Sequence, residues 1–426
     1  MSDFAALVED DRVHRDLYLS PAIFALEQQR LFTRTWQYLG HASQVPNPGD
    51  CYATDVAGRP LLMIRGDDGG VRVLMNRCAH KGAKLVTAPT SQVGRFFRCP
   101  YHAWAYNLDG SIRAIPLRGG YDGTRLHECE AAGGLARVTS TVYRGFVFVR
   151  LGEGPAFDAY FGPVLHALDN LADRSPEGEL EIAGACLRGV MRCNWKMYLE
   201  NINDTMHAVT AHQSAAEAAQ AVWDRQPAGA VKPMSMEQML PFGSGYDFFE
   251  RMGGRVFANG HSILGTQASI HSAYGALGDY GQSLARAHGL ERAREVLAFA
   301  PQNSILFPSI AVKSSPQTLR VIRPLAADRT LIEIWALRPK GAPATLQRRT
   351  AMYNRLVFSP MSVVAHDDVH VFETMQQALA APGNEWVSLQ RGRRAGEDGE
   401  RADVGGTDER LMRNQFRAWA AFMAMQ

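Results

Sequence analysis

The sequence predicts an α+β protein of two domains, the first built from short strands and the second from mixed helix and sheet. Three observations carry this reading. At 426 residues the chain is longer than one ordinary core sustains. From about Trp36 to Leu151 short β-rich runs alternate with turn signals, whereas longer helical periods enter beyond Pro155. Between the two textures, Gly152-Glu153-Gly154-Pro155 breaks the chain. The expected organisation is a helical segment over 1–36 that packs on the second domain, a β domain over 37–154, and a mixed domain over 155–426.

The elements follow in order. Ser20 is placed to cap a helix with Pro21 at its first position, and Phe24, Leu31 and Phe32 recur near a 3.6 period. Leu61 to Arg65 and Val71 to Met75 flank Asp67-Asp68-Gly69-Gly70, a hairpin signature. Trp104 to Leu108 and Ser111 to Ile115 flank Asp109-Gly110, which reads as a type I′ turn. Val142 to Val149 is a further β-rich run. In the second half, Asn194 to His212, Ser359 to Ala381 and Thr407 to Met425 read as helices. Ile305 to Val312 and Thr330 to Trp335 read as strands, and Gln390 to Asp408 as a mobile, charged, Gly-rich loop. No internal repeat is visible.

Composition removes several function classes. Lys and Arg number 45 against 43 Asp and Glu, a net charge of +2, which offers no nucleic-acid or anionic-membrane footprint. The cluster Arg391, Arg393 and Arg394 is followed by Glu397 and Asp398 and reads as a solvated loop. Met1 to Asp11 lacks an apolar core, so no secretory signal is expected, and no run of 18 apolar residues marks a membrane span. Six cysteines in such a chain point to a reducing cytoplasm, where Cys and His pairs read as metal sites rather than disulfides.

Two constellations stand out. Cys78-Ala79-His80 is followed, after eighteen intervening residues, by Cys99-Pro100-Tyr101-His102. Two Cys and two His in two short loops fit one zinc ion. The same set also holds a two-iron, two-sulfur cluster, with cysteines on one iron and histidines on the other. Imidazole ligation of that kind raises the potential to roughly −150 to +300 mV. The second constellation is Asp204-x-x-His207-x4-His212. On a regular helix an i, i+5 pair is turned about 140° around the axis. The two imidazoles therefore meet one ion only if the helix ends or distorts between them.

The first pattern resembles the Rieske domain of aromatic-ring hydroxylating oxygenases. His102-Ala103-Trp104-Ala105-Tyr106 and Asp109-Gly110 are similar to that family's second loop and hairpin, and a large indole beside the cluster would limit solvent. Lys81 departs from the Arg common in relatives, keeping charge but losing bidentate geometry. Respiratory Rieske proteins carry an extra cysteine pair, where this chain has Ala83 and Tyr101. The segment from Asn194-Trp195-Lys196 through His212 resembles the same family's iron motif, with Met206 where Tyr is usual. His14, His41, His127, His166, His261, His271 and His288 read as ordinary packing histidines.

A facial triad of two His and one carboxylate leaves positions open for dioxygen. Helical arithmetic chooses its carboxylate. Val364, Asp368, Val371, Met375 and Leu379 are expected to form one buried stripe, while Asp367 shares a face with Val363, His370 and Thr374. A carboxylate in an apolar stripe is costly unless it pairs or binds a metal, so Asp368 is the expected ligand. It also matches the family's carboxylate position.

The resemblance spans about Tyr18 to the C-terminus. It implies an all-β Rieske domain plus an antiparallel-sheet, helix-grip catalytic domain. It implies a [2Fe-2S] Rieske cluster on Cys78, His80, Cys99 and His102, and a mononuclear Fe(II) on His207, His212 and Asp368. Asp204 would link the cluster of one subunit to the iron of its neighbour in a homotrimer, with or without a small beta subunit (α3β3). Tyr101 and Glu200 are weaker candidates for that network, and Asn201 for the iron pocket. Electrons would come from NADH through a separate reductase, sometimes with a ferredoxin, because no dinucleotide fingerprint is visible. Both atoms of dioxygen would enter adjacent ring carbons, giving a cis-dihydrodiol, or a catechol where an amino or carboxyl group is shed. The runner-up is a monooxygenase that hydroxylates or demethylates. Pocket walls are expected among Asn201 to Phe307 and Phe358 to Phe372. The substrate expected from family flavour is a small aromatic carboxylate, which Arg320 or Arg323 could meet, although strand or surface pairing is the commoner fate of such residues.

Overall fold

A computed structural model describes residues 4–131, 134–271, 278–394 and 402–425. It separates into two compact units, Phe32–Gly154 and Met1–Leu31 together with Pro155–Gln426.

The first unit is three small antiparallel sheets. Arg59–Arg65 pairs with Val71–Met75 across the Asp67–Gly70 turn, as the alternating pattern requires. Ala105–Asn107 pairs with Ile112–Ala114. Its turn is not the two-residue I′ type expected. Gly110 donates to Asn107 O at 3.0 Å and Asn107 N donates to Ser111 O at 2.8 Å, and only Gly110 has positive φ, at 89°. Ser111 N and Oγ donate to Asp109 Oδ1, so the aspartate acts as an Asx-turn acceptor that widens the loop. The primed geometry sits elsewhere. Arg144 and Gly145 have φ of 51° and 87°, which folds the run Val142 to Val149 into a hairpin of Thr139–Tyr143 and Phe146–Arg150 rather than one strand. The core gathers Leu62, Ile64, Leu74, Phe97, Trp104 and Tyr106 around buried Cys78 and Cys99. Each such apolar side chain contributes roughly 1.5–3 kcal/mol on burial.

The second unit is built on an eight-stranded antiparallel sheet. Its order is Leu180–Met191, Arg329–Pro339, Thr318–Ala326, Ile310–Lys313, Asn303–Leu306, Ser262–Leu264, Gly254–Val256 and Ala402–Val404. The apolar run Ile305 to Val312 is therefore two strands, split at Phe307-Pro308, not one. Ala402–Val404 lies within the stretch read as a mobile loop, and residues 395–401 of that stretch lie outside the described residues. The final helix, Arg410–Ala424, sets Leu411 against Val256 and Leu264 of the sheet.

The first helix, Pro21–Arg30, begins where Ser20 accepts from Ile23 N at 3.3 Å. It delivers the fully buried Glu27, whose carboxylate accepts from Trp195 Nε1 at 3.0 Å and Trp419 Nε1 at 2.7 Å and pairs with buried Lys196. Lys196 also donates to Leu17 O at 2.7 Å. This hub ties the first and last helices of the unit to Trp195–Ile202, the helix that leads into the candidate iron ligands.

Candidate metal centres

Two loops close the first centre. Gly82 N donates to Cys78 O at 2.9 Å, and Ala103 N donates to Cys99 O at 3.1 Å. Gly82 takes φ of 78° to do so, a conformation cheap for glycine. His80 stacks on Trp104 with centroids 4.9 Å apart and planes 2° from parallel, and His102 meets His80 edge-on at 4.7 Å. His80 Nδ1 is buried and has no hydrogen-bond partner. An orphaned ring nitrogen beside a second imidazole and two buried cysteines outside any disulfide is the donor set a Rieske cluster needs. Tyr106 supplies what sequence reasoning left without a role. Its hydroxyl lies 3.1 Å from Cys78 Sγ and accepts from Ala79 N at 3.1 Å, a hydrogen bond to sulfur of the kind that tunes cluster potential. Tyr101 is 65% exposed at the tip of its loop.

The second centre depends on a broken helix. Asn194 to His212 is not one helix. Trp195–Ile202 ends at Asn203, a short turn spans Ala208–Ala211, and His212 leaves helical geometry at φ −104°, ψ 14°. The next helix starts at Gln213. These breaks bring the His207 and His212 rings to 5.3 Å. Ser362 caps the helix Val363–Leu379, accepting from Ala365 N at 3.2 Å, and that helix presents Asp368. The Oδ1 of Asp368 lies 3.7 Å from His207 Nε2 and 3.4 Å from His212 Nε2. Ligand atoms of the three residues all fall within 4.8 Å of one another, so small side-chain movements seat an ion among them. Asn201 Nδ2 donates to Asp368 Oδ1 at 3.2 Å and lies 3.1 Å from His207 Nε2.

The outer nitrogens both face carboxylates. His212 Nδ1 hydrogen-bonds Asp367 Oδ2 at 3.4 Å, whereas His207 Nδ1 lies 3.5 Å from Asp204 Oδ2 without hydrogen-bond alignment. Carboxylates there favour Nδ1–H tautomers and leave both Nε2 lone pairs for a metal. Burial lifts the Asp368 pKa despite the two neighbouring imidazoles. Burial opposes charge on His207 too, but the neighbouring Asp204 and Asp368 carboxylates outweigh it and raise its pKa. Burial pushes Glu200 up to about 8, and it accepts from the Tyr18 hydroxyl at 2.9 Å.

Two expectations need correction. The stripe through Val371, Met375 and Leu379 is not buried; Val371 is 40% and Met375 39% exposed. Burial instead follows strict i, i+4 spacing, with Val364, Phe372 and Gln376 covered and Asp368 on the same ridge. Gln376 accepts from Asn194 N at 2.9 Å, which anchors that ridge to the start of the His-bearing segment. The pocket beside Asp368 is also walled differently. Leu187, Gly189, Val190, Met191, Ile332, Ile334 and Val357 contribute, outside the expected spans, because the edge strand Leu180–Met191 and its neighbour Arg329–Pro339 cover one side. His366, Phe358 and Asn201 do line it. A π-helical turn at Asn354–Phe358 aims Val357 and Phe358 into the pocket, a feature common at functional sites.

Comparison with known proteins agrees with this double site. Residues 35–125 match the Rieske [2Fe-2S] domain, and residues 167–424 match the ring hydroxylating alpha subunit (catalytic domain). The chain is 28% identical to toluate 1,2-dioxygenase subunit alpha of Pseudomonas putida over 389 residues, covering 89% of this chain and 82% of that one. It is 28% identical to the N,N-dimethyl phenylurea N-demethylase subunit alpha of Sphingobium sp. (strain YBL2), covering 84% and 78%. Naphthalene 1,2-dioxygenase with indole bound superposes with a TM-score of 0.79 at 22% identity, over 98% of this chain and 94% of that one. The chain belongs to the ring-hydroxylating alpha subunit family. It is a Rieske non-haem iron oxygenase, with a [2Fe-2S] cluster in one domain and a mononuclear iron centre in the other. Among the described residues, no helix is long and apolar enough to cross a membrane.

Proposed function

We propose that this chain is the terminal oxygenase of a cytoplasmic system that cis-dihydroxylates a small aromatic carboxylate or hydrocarbon. Electrons come from NADH through a separate reductase, with or without a ferredoxin. The observation that carries the reading is the apolar pocket that opens directly on Asp368 and Asn201. Cys78, His80, Cys99 and His102 hold the cluster; His207, His212 and Asp368 hold the iron. When bound, the cluster supplies electrons singly and the iron supplies the coordination site for dioxygen beside the substrate.

The protein's own work is positioning. Asp204 and Asp367 hold the two imidazoles by their outer nitrogens, and Asn201 donates to the carboxylate ligand. Leu187, Ile332 and Ile334 line the pocket with apolar surface that would exclude water from a ring bound beside Asp368. Asp204 would provide the hydrogen-bonding link through which electrons pass between neighbouring subunits of a homotrimer, with or without a beta subunit.

Demethylation or single hydroxylation is the second reading, favoured by the likeness to an N-demethylase subunit. Product analysis with a panel of benzoates, polycyclic hydrocarbons and N-methyl aryl compounds separates the two. Diol products support dihydroxylation; formaldehyde with no diol overturns it.

A further inference from the structure

Arg320 lies on the strand Thr318–Ala326, is 3% exposed, and lines the same pocket as Asp368. Its guanidinium donates to Asn303 Oδ1 and lies near the Tyr198 phenol, while among the described residues its buried Nε has no partner. Among the described residues no carboxylate pairs with it. The contrast with Arg323 on the same strand is direct. Arg323 meets Glu333 at 3.1 Å, and Glu333 also holds Arg188 at 2.6 Å.

An unneutralised buried guanidinium is expensive, and its planar fork matches a carboxylate better than any other common anion partner. Phe358 stacks beneath it, with the guanidinium carbon 4.8 Å from the ring centroid, which supports its flat face and leaves its edge for hydrogen bonds. The nearest companion cation does not compete. Lys313, on the neighbouring strand, donates a hydrogen bond to Gln302 O, and burial together with the Arg320 charge pushes its pKa well down. Asp368 is committed to the two histidines and Asn201. Leu187, Val190, Ile332, Ile334 and Val357 give the pocket an apolar side opposite Tyr198, Asn201, His366 and Asp368, and Arg320 is the one guanidinium among its lining residues.

We propose that Arg320 is the anchor for a carboxylate on the substrate, and that the substrates are small aromatic acids rather than uncharged arenes. This rests on the reading of the pocket as the substrate site of a ring-hydroxylating oxygenase. A site whose buried donor needs an anion rejects analogues that lack one.

The test uses the purified holoenzyme with cluster and iron loaded. Benzoate, cinnamate and 1-naphthoate are each titrated by calorimetry beside their amide and parent hydrocarbon, without oxygen. At least one acid should bind roughly 100-fold more tightly than its amide. In Arg320→Gln that preference should fall to within about threefold of unity, and Arg320→Lys should recover part of it. The cluster absorption and iron content of each variant report whether it is folded; if Arg320→Gln is not, the wild-type acid-to-amide ratio and the Arg320→Lys variant decide alone. Equal binding of every acid and its amide, or an acid preference that survives in Arg320→Gln, overturns the proposal. Arg320-dependent acid binding with no oxygenated product from any acid overturns the functional reading and leaves the anchor standing. Oxygenation of the hydrocarbons with exclusion of the acids does the reverse.

Discussion

His212 is held between two consecutive aspartates: its Nδ1 lies 3.4 Å from Asp367 Oδ2, and its Nε2 lies 3.4 Å from Asp368 Oδ1. One ring thereby joins a ligand carboxylate to a supporting one. Asp368→Ala is expected to abolish mononuclear iron binding while the cluster spectrum persists. Asp367→Asn should weaken iron binding by roughly 10–100-fold, because it loosens the ring without removing a ligand. Iron titration of the two variants checks this, and equal loss in both would place Asp367 in the coordination sphere itself.

Replacing Cys99 with Ser, or His80 with Ala, should remove the Rieske EPR signal and NADH-driven turnover. The buried cysteines and the orphaned His80 Nδ1 motivate this expectation. A variant that retained the signal would move the cluster off these loops.

Asp204→Asn should keep both metal centres and lose nearly all catalysis. Asp204 Oδ2 stands 3.5 Å from His207 Nδ1, while Oδ1 already accepts from Met206 N at 2.7 Å. Burial opposes its charge, but the nearby His207 and the Met206 N–H keep its pKa below the usual range, so it accepts as a carboxylate at neutral pH. An amide offers one acceptor atom and sets an NH2 against a donor, at a cost of roughly 1–3 kcal/mol. In a single turnover of the pre-reduced variant, the cluster should stay reduced when substrate and dioxygen are added. Normal cluster oxidation would remove Asp204 from the electron path.

Glu27→Ala should destabilise the catalytic unit by about 3–5 kcal/mol, since it strands a buried ammonium and two indole N–H groups. Burial already lowers the Lys196 pKa against the pull of Glu27. Adding Lys196→Met to Glu27→Ala should recover part of the loss in denaturant unfolding. A single variant as stable as the parent would show that the hub is solvated.

Much of this site was legible in short sequence spacings. Cys78-x-His80 and Cys99-x2-His102 mark local loops, and the impossibility of a regular i, i+5 pair pointed to the break that His212 makes. Asp368 lies beside the two histidines, but the stripe used to choose it has a lower half that is not buried. Helical arithmetic cannot tell which of two adjacent ridges a sheet will cover, and here Phe372 and Gln376 are covered in place of Val371 and Met375. Asp367, Tyr106 and Glu27 act across long chain separations, where sequence carries no spacing signal. The turns failed for a different reason. Arg144-Gly145 adopts the primed geometry while Asp109-Gly110 does not, because the Asp109 side chain caps Ser111 instead.

The central claim is that dioxygen is spent on an aromatic ring at the His207–His212–Asp368 centre. The most direct measurement reduces the holoenzyme without oxygen, removes the reductant, and adds an accepted aromatic substrate with 18O2. The account predicts one product per reduced active centre, with both new oxygen atoms labelled, and no product from Asp368→Ala. A product whose new oxygen is unlabelled, or one formed equally by Asp368→Ala, would contradict it.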